Sequence, residues 1–195
     1  MIPSDIDPTS GFRLPLPDRD DLDDERRALY DRALTPGVKT VGLHGPAGVQ
    51  LHTKAGPMLS ALNRYLRFES GIPGRVRETA ILSTAREMDS QFEWVQHEPD
   101  AIEAGVPKET IEAIKHRKAT AGLDPTDALV IELNRQIWRD HKVTSDIFVR
   151  AKAAFGPAML VDLVILMGAY ANTAALLAAV DMQLQEGQEP LLPIP

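Results

Sequence analysis

The sequence predicts an all-α bundle of about seven or eight helices, and three observations carry that prediction. Apolar residues from Met58 onward recur at helical spacing, and nearly every segment after Pro57 opens and closes with helix punctuation. No stretch sustains period-two alternation, and no Asn-Gly or Asp-Gly hairpin turn occurs. There is also no internal repeat that would indicate a solenoid.

Residues 1–20 hold Pro3, Pro8, Pro15 and Pro17 with little apolar periodicity, so they read as an extended N-terminal arm suited to wrapping a neighbour. Asp18 to Arg27 contains six acids and three bases, mostly acids first, as a helix N-terminus prefers, and a short helix is expected at about 20 to 34. Glycines at 37, 42, 45, 48 and 56 and prolines at 36, 46 and 57 make the next stretch a loop with room for one helical turn. A loop of that length is usually functional or disordered.

Met58, Leu59, Leu62 and Leu66 give the following helix its apolar face, and Gly71-Ile72-Pro73 ends it. Pro73 or Gly74 opens a helix running to about residue 88, and Asp89-Ser90 starts another that Gly105 stops. Pro107 begins the next, which ends in the basic cluster Lys115-His116-Arg117-Lys118, suited to the negative end of a helix dipole. Asp124-Pro125 is an N-cap with an N1 proline leading into Ala128 to Asp140. Thr144-Ser145-Asp146 caps a helix that Gly156 terminates, and Pro157 opens a long apolar helix expected to reach about Gln185. The tail from Gly187 to Pro195 is proline-rich and arm-like again.

The chain of 195 residues lies at the upper end of one domain by the usual guide of roughly 100 to 200 residues. One all-α domain over 21–186 is therefore expected between the N-terminal arm and the tail 187–195. Hydrophobic residues at 44% and charged ones at 25% exclude wholesale disorder. The absence of cysteine excludes disulfides, thiolate metal sites, iron–sulfur clusters and cysteine nucleophiles. A net charge of −7 argues against nucleic acid or an anionic membrane surface as the main partner.

The opening Met1-Ile2-Pro3-Ser4-Asp5 has neither a basic region nor an apolar run, so a cytoplasmic location is expected. Leu163 to Val180 is eighteen residues without a charge, but Gly168, Asn172, Thr173 and six alanines make it read as a buried helix of a bundle or oligomer rather than a membrane span.

The candidate chemistry lies in Arg75 to Glu103. Glu93 and His97 are four apart and share one helix face, where a carboxylate beside an imidazole makes an acid–base unit. Ser90 extends that stripe by one turn, and Glu78 lies fifteen residues upstream of Glu93, within reach if the two helices form an antiparallel hairpin. The same residues have plain structural readings: Ser90 to Glu93 is a capping box, an i,i+4 Glu and His pair is a common surface contact, and Glu78 suits a first helical turn. Glu93 and His97 also have ligand spacing, but no further residue completes a metal set, so no metal and no cofactor is expected.

The chain resembles the carboxymuconolactone decarboxylase family, which includes the alkylhydroperoxidase D-like proteins. The resemblance rests on Arg77-Glu78-Thr79-Ala80-Ile81-Leu82, Ala85-Arg86-Glu87, Glu93-Trp94-Val95-Gln96-His97-Glu98, Ala104-Gly105-Val106-Pro107 and Ile111. It is best over about residues 55–120 and continues into Met167-Gly168-Ala169-Tyr170, which is similar to the family's Gly-Tyr-Tyr region. It implies an alkylhydroperoxidase D-like helical bundle that assembles as a homo-oligomer, a trimer or hexamer. In the peroxidase branch a Cys-x-x-Cys pair precedes the histidine. Here those positions hold Ser90 and Glu93, so thiol peroxidase chemistry is rejected, while the family's glutamate and histidine match at Glu78 and His97.

The resemblance implies a cofactor-independent decarboxylase of a small organic acid or lactone. His97 would donate the proton, Glu93 would orient it and keep it protonated, and Glu78 would be a second acid–base group or an orienter. Two glutamates beside one histidine repel an anion, so one of Arg64, Arg67, Arg75 or Arg77 must offset them. His52, in the loop before the first core helix, together with Ser90 and Tyr170 are the expected substrate-binding residues. His44 is a weaker candidate than His52; His116 and His141 read as helix-dipole partners, and Trp94 as packing. An isomerase, hydratase or ring-opening enzyme would use the same residues, and a non-catalytic binding or assembly protein would keep only the fold.

Overall fold

The computed structural model describes residues 3–38 and 40–194, so Met1, Ile2, Lys39 and Pro195, including the ends of both expected arms, lie outside the described residues. Among the described residues there are eight α-helices and no strand. They are α1 (Asp24–Ala33), α2 (Pro46–Gln50), α3 (Gly56–Arg64), α4 (Gly74–Glu87), α5 (Gln91–Glu103), α6 (Lys108–Lys115), α7 (Pro125–Arg135) and α8 (Ser145–Ala179), with π turns at Tyr65–Glu69 and Gln136–Asp140. The all-α expectation holds.

Chain length suggests one domain between an N-terminal arm and a C-terminal tail. The chain instead divides into two compact units, one of Met1–Arg64 with Ala175–Gln188 and the other of Tyr65–Ala174 with Glu189–Pro195. In the first unit Asp23 caps α1 by accepting from the Arg26 amide, and Leu22, Leu29, Ala33, Leu43 and Leu51 form the core. The expected N-terminal arm is packed in this unit. Phe12 is fully buried, the Arg13 amide donates to the Val180 carbonyl at 2.9 Å, and the Gln183 amide donates to the Gly11 carbonyl at 2.9 Å. Only glycine fits at position 11: its φ is 75°, and a Cβ there would lie 2.0 Å from His44 Nε2.

The second unit is built around α4, where nine consecutive residues from Glu78 to Arg86 are buried. On one side Val76, Ala80 and Ile81 join Leu129, Val130 and Leu133 of α7 and Leu160, Leu163, Leu166 and Met167 of α8. On the other, Leu82 and Ala85 pack with Trp94 and Ala101 of α5, Ile111 and Ile114 of α6, and Leu192 of the tail. The tail is therefore no free arm at Leu192, whose amide also donates to Gln91 Oε1 at 2.7 Å.

Helix ends match their punctuation at Asp124, whose carboxylate accepts from the Thr126 and Asp127 amides. At Gly156 the backbone leaves helical values (φ 72°, ψ 166°), so α8 is two helices joined at the expected break. The long helix stops at Ala179, short of the expected Gln185. It is long and apolar enough by length and composition to cross a membrane, yet its Leu160, Leu163, Leu166, Met167 and Tyr170 face the core of the second unit.

Asp127 ties three helices of this unit together. It is 1% exposed, accepts two bonds from Arg75 on α4 at 3.0 and 2.8 Å, and accepts a third from the Thr110 hydroxyl on α6 at 2.8 Å. Asp127→Ala strands those donors, and the expected loss of about 2–3 kcal/mol is read from urea unfolding with an unchanged slope.

Candidate active site

α4 and α5 form a helical hairpin whose connection turns at Asp89 (φ 48°). Ion pairs from Arg86 and Arg117 to the Asp89 carboxylate hold that strained residue. The hairpin places Glu78 of α4 against His97 of α5, nineteen residues apart. Glu78 Oε2 lies 2.9 Å from His97 Nδ1, and both are buried. The other ring nitrogen, Nε2, lies 3.1 Å from the Tyr170 hydroxyl of α8, and the two rings meet edge-on with centroids 5.1 Å apart. The second oxygen of Glu78 accepts from Arg77 Nε at 3.0 Å, and Arg77 Nη1 donates to the Arg67 carbonyl at 2.8 Å. The result is one hydrogen-bonded chain, Arg77, Glu78, His97, Tyr170, buried from Glu78 onward.

The charges in this chain follow from its partners. Burial opposes ionisation of Glu78. The hydrogen bond and charge of His97, the hydrogen bond from Arg77 and the charge of Arg67 outweigh that, and the carboxyl is held below the ordinary glutamate range. An ionised Glu78 accepts the proton of His97 Nδ1, which fixes the tautomer. Burial pushes the Tyr170 phenol far up, so it stays protonated and donates to Nε2 of the neutral ring. When the ring is protonated the second bond reverses, and Nε2–H donates to the phenol oxygen.

The expected pairing of Glu93 with His97 is corrected: both ring nitrogens are taken, by Glu78 and Tyr170. Glu93 is 3% exposed, and neither of its oxygens accepts a hydrogen bond of good geometry. Burial raises its pKa well above the ordinary value, and the nearby Ser90 hydroxyl only partly offsets this. Burial thus drives Glu93 toward its neutral, protonated form. The capping-box reading fails too, because Ser90 is the N-cap of α5 but its side chain makes no cap bond.

Tyr170 joins the chain as described, and Ser90 lies at the head of α5 next to Glu93. His52 belongs to the first unit, where it is exposed and packs edge-on against Phe12. His44 bonds the Gln183 carbonyl in that unit, and His116 is the C-cap residue of α6, as a dipole partner should be. Trp94 is fully buried, with its indole donating to Glu98 at 2.8 Å, and is packing. Asp100 is a site residue that sequence reasoning missed, although it continues the Glu93 and His97 stripe by three residues.

Comparison with protein-family models, with curated proteins and with solved structures finds no match for this chain.

Glu78, His97 and Asp100 have ligand atoms within 4.8 Å of one another, a set able in principle to hold a cation. Two guanidiniums already occupy it: Arg77 on Glu78 and Arg67 on Asp100 at 3.3 Å. A divalent ion would have to displace both.

The neutral Glu93 has a measurable consequence. Its folded pKa is raised, so the unfolded chain loses this proton at lower pH than the folded one. Folding is then penalised once the pH exceeds the ordinary value of 4.5, and the penalty grows up to the folded pKa. Glu93→Gln should raise Tm by a few degrees at about pH 7 and lose that advantage by about pH 4. Melts at both pH values check it; an equal effect at both contradicts a neutral Glu93.

Proposed function

We propose that the chain is a cofactor-independent enzyme that uses acid–base chemistry to decarboxylate a small organic acid or lactone, as its resemblance to carboxymuconolactone decarboxylases implies. The observation that carries this reading is the buried chain from Arg77 through Glu78 and His97 to Tyr170. It has the three parts such a reaction needs: an imidazole with a fixed tautomer, a carboxylate that stabilises its protonated form, and a phenol that donates to developing charge.

In the proposed reaction the bond from carbon to the leaving carboxylate breaks and carbon dioxide departs. The electron pair moves into an adjacent unsaturated carbonyl system, such as that of a lactone ring, as an enolate. His97 in its protonated form delivers the proton to carbon, and solvent restores it. Glu78 takes the orienting role first expected of Glu93. Glu93, one turn before His97 on α5, is driven toward its neutral form by burial and has unused hydrogen-bonding capacity, so Glu78 is the carboxylate bonded to the imidazole.

The same resemblance implies a trimer or hexamer. Val161, Val164 and Ile165 of α8 are exposed at helical spacing and form the apolar surface that self-association would cover.

A screen of small unsaturated lactone acids for carbon dioxide release tests the reaction, with a thiol-supported hydroperoxide assay alongside that should stay silent. His97→Ala and Glu78→Gln should each lower turnover about 10²- to 10⁴-fold, and Tyr170→Phe about tenfold. Full turnover by a folded His97→Ala variant overturns the reading. Proton exchange into the substrate without carbon dioxide release replaces it with an isomerase.

A further inference from the structure

Four arginines precede or begin α4, and the structure separates them by what their guanidiniums already hold. Arg64 lies in the first unit and has interactions of its own. Arg75 spends both N–H groups of its side-on edge, Nε and Nη2, on the buried Asp127. Arg77 spends Nε on Glu78 and Nη1 on the Arg67 carbonyl.

Arg67 is different. Its Nη2 reaches one oxygen of Asp100 at 3.3 Å, while its Nε, the other donor of the same edge, is buried without a hydrogen-bond partner. Elsewhere in the protein this fork is filled from both prongs, by Asp31 on Arg19 at 2.7 and 2.7 Å and by Glu87 on Arg139 at 2.6 and 2.5 Å. A half-filled fork with a buried, unpartnered N–H is costly, and the group that matches it is a planar carboxylate.

Its placement relates the open edge to the acid–base chain. Arg67 sits in the π turn Tyr65–Glu69, a rare backbone form often found at functional sites. Arg77 clamps its carbonyl with one nitrogen while holding Glu78 with another. Asp100, its present partner, lies within 4.8 Å of the ligand atoms of Glu78 and His97. Exposure rises outward, from 1% for the Glu78 side chain and 10% for His97 to 15% and 16% for Arg67 and Asp100. Arg67 and Asp100 are thus the more exposed members of the cluster that includes Glu78 and His97.

We propose that the open half of the Arg67 edge binds a single carboxylate of the substrate, and that Asp100 is a built-in competitor which this carboxylate displaces. The inference deepens the decarboxylase reading by naming the group that recognises the acid, and it rests on that reading for the word substrate alone. Two guanidiniums, Arg67 and Arg77, face two carboxylates, Glu78 and Asp100, with Glu93 neutral. These charges balance, so an incoming carboxylate has to take the place of Asp100 on Arg67 rather than add to it. The charge of Arg67 also acts on Glu78 and on Tyr170, in keeping with its place beside the chain.

Equilibrium binding of 2-furoate and of its uncharged amide to the full chain tests the site without requiring turnover. Wild type should prefer the carboxylate by about 10- to 100-fold. Arg67→Met should abolish that preference, and Arg67→Lys, which keeps a point charge but not the fork, should retain part of it. Asp100→Asn should bind 2-furoate several-fold tighter. Equal binding of acid and amide by wild type, a preference that survives in Arg67→Met, or weaker binding by Asp100→Asn overturns the proposal. Such a failure leaves the His97 turnover result standing. Conversely, full turnover by His97→Ala sinks the acid–base reading without touching an Arg67-dependent preference for the carboxylate.

Discussion

The candidate site in the second unit is organised around a buried negative charge. Glu78 sits in the second turn of α4 at 1% exposure, and taking a carboxylate so far from water costs several kcal/mol even after relaxation. The cost is tolerable only because each oxygen has a donor, His97 on one side and Arg77 on the other. Those donors come from two helices, and Tyr170 on α8 adds a third through the far nitrogen of the ring. The register of α4 against α5 and the rotation of α8 about its axis are thus constrained electrostatically as well as by packing. A slip by one residue would leave the charge uncompensated, a larger penalty than the loss of any single methyl contact.

The two glutamates first expected to act together are separated by their environments. Glu78 has a cation and an imidazole as partners and is ionised; Glu93 has burial and little else and is neutral. Pairs of carboxyls driven in opposite directions are how one fold holds an acid and a base at the same pH. The separation also resolves the expected repulsion of an anionic substrate, since one of the two charges is absent and the other is matched by Arg77.

Much of the fold is legible in the sequence because helix boundaries are local. Asp124-Pro125, Gly105 and Gly156-Pro157 act where they stand in the chain. The end of α8 departs from its expected place for the same reason: it closes with Asp181 in the left-handed region (φ 49°), with the Met182 amide on the Leu177 carbonyl and the Asp181 amide on the Ala178 carbonyl. That is the six-to-one and five-to-two bonding a glycine usually announces, here without the glycine. The site divides likewise. The E-x-x-x-H spacing identifies the face of α5 that matters, whereas the partner of His97 lies nineteen residues away and depends on how the hairpin closes. The neutrality of Glu93 is illegible because desolvation belongs to the packed core and to no spacing. The packing of Phe12 and Leu192 is hidden by prolines that make both termini read as arms.

Why Glu93 should be neutral at all is decided by magnitudes. It stands at the third position of α5, where the helix dipole and free amides favour a carboxylate by about 0.3–1 kcal/mol. A capping box with Ser90 would have added a bond of similar size. Neither competes with removing a charge from water to 3% exposure, which costs several kcal/mol and finds no cation in compensation. The proton stays on, the cap is left unmade, and the stripe that reads in sequence as a carboxylate beside an imidazole becomes an acid beside an imidazole. The carboxylate hydrogen-bonded to His97 is then Glu78, on the nitrogen that faces away from Tyr170. The stabilisation of the imidazolium is thereby directed through Nδ1, leaving Nε2 as the nitrogen from which a proton can leave.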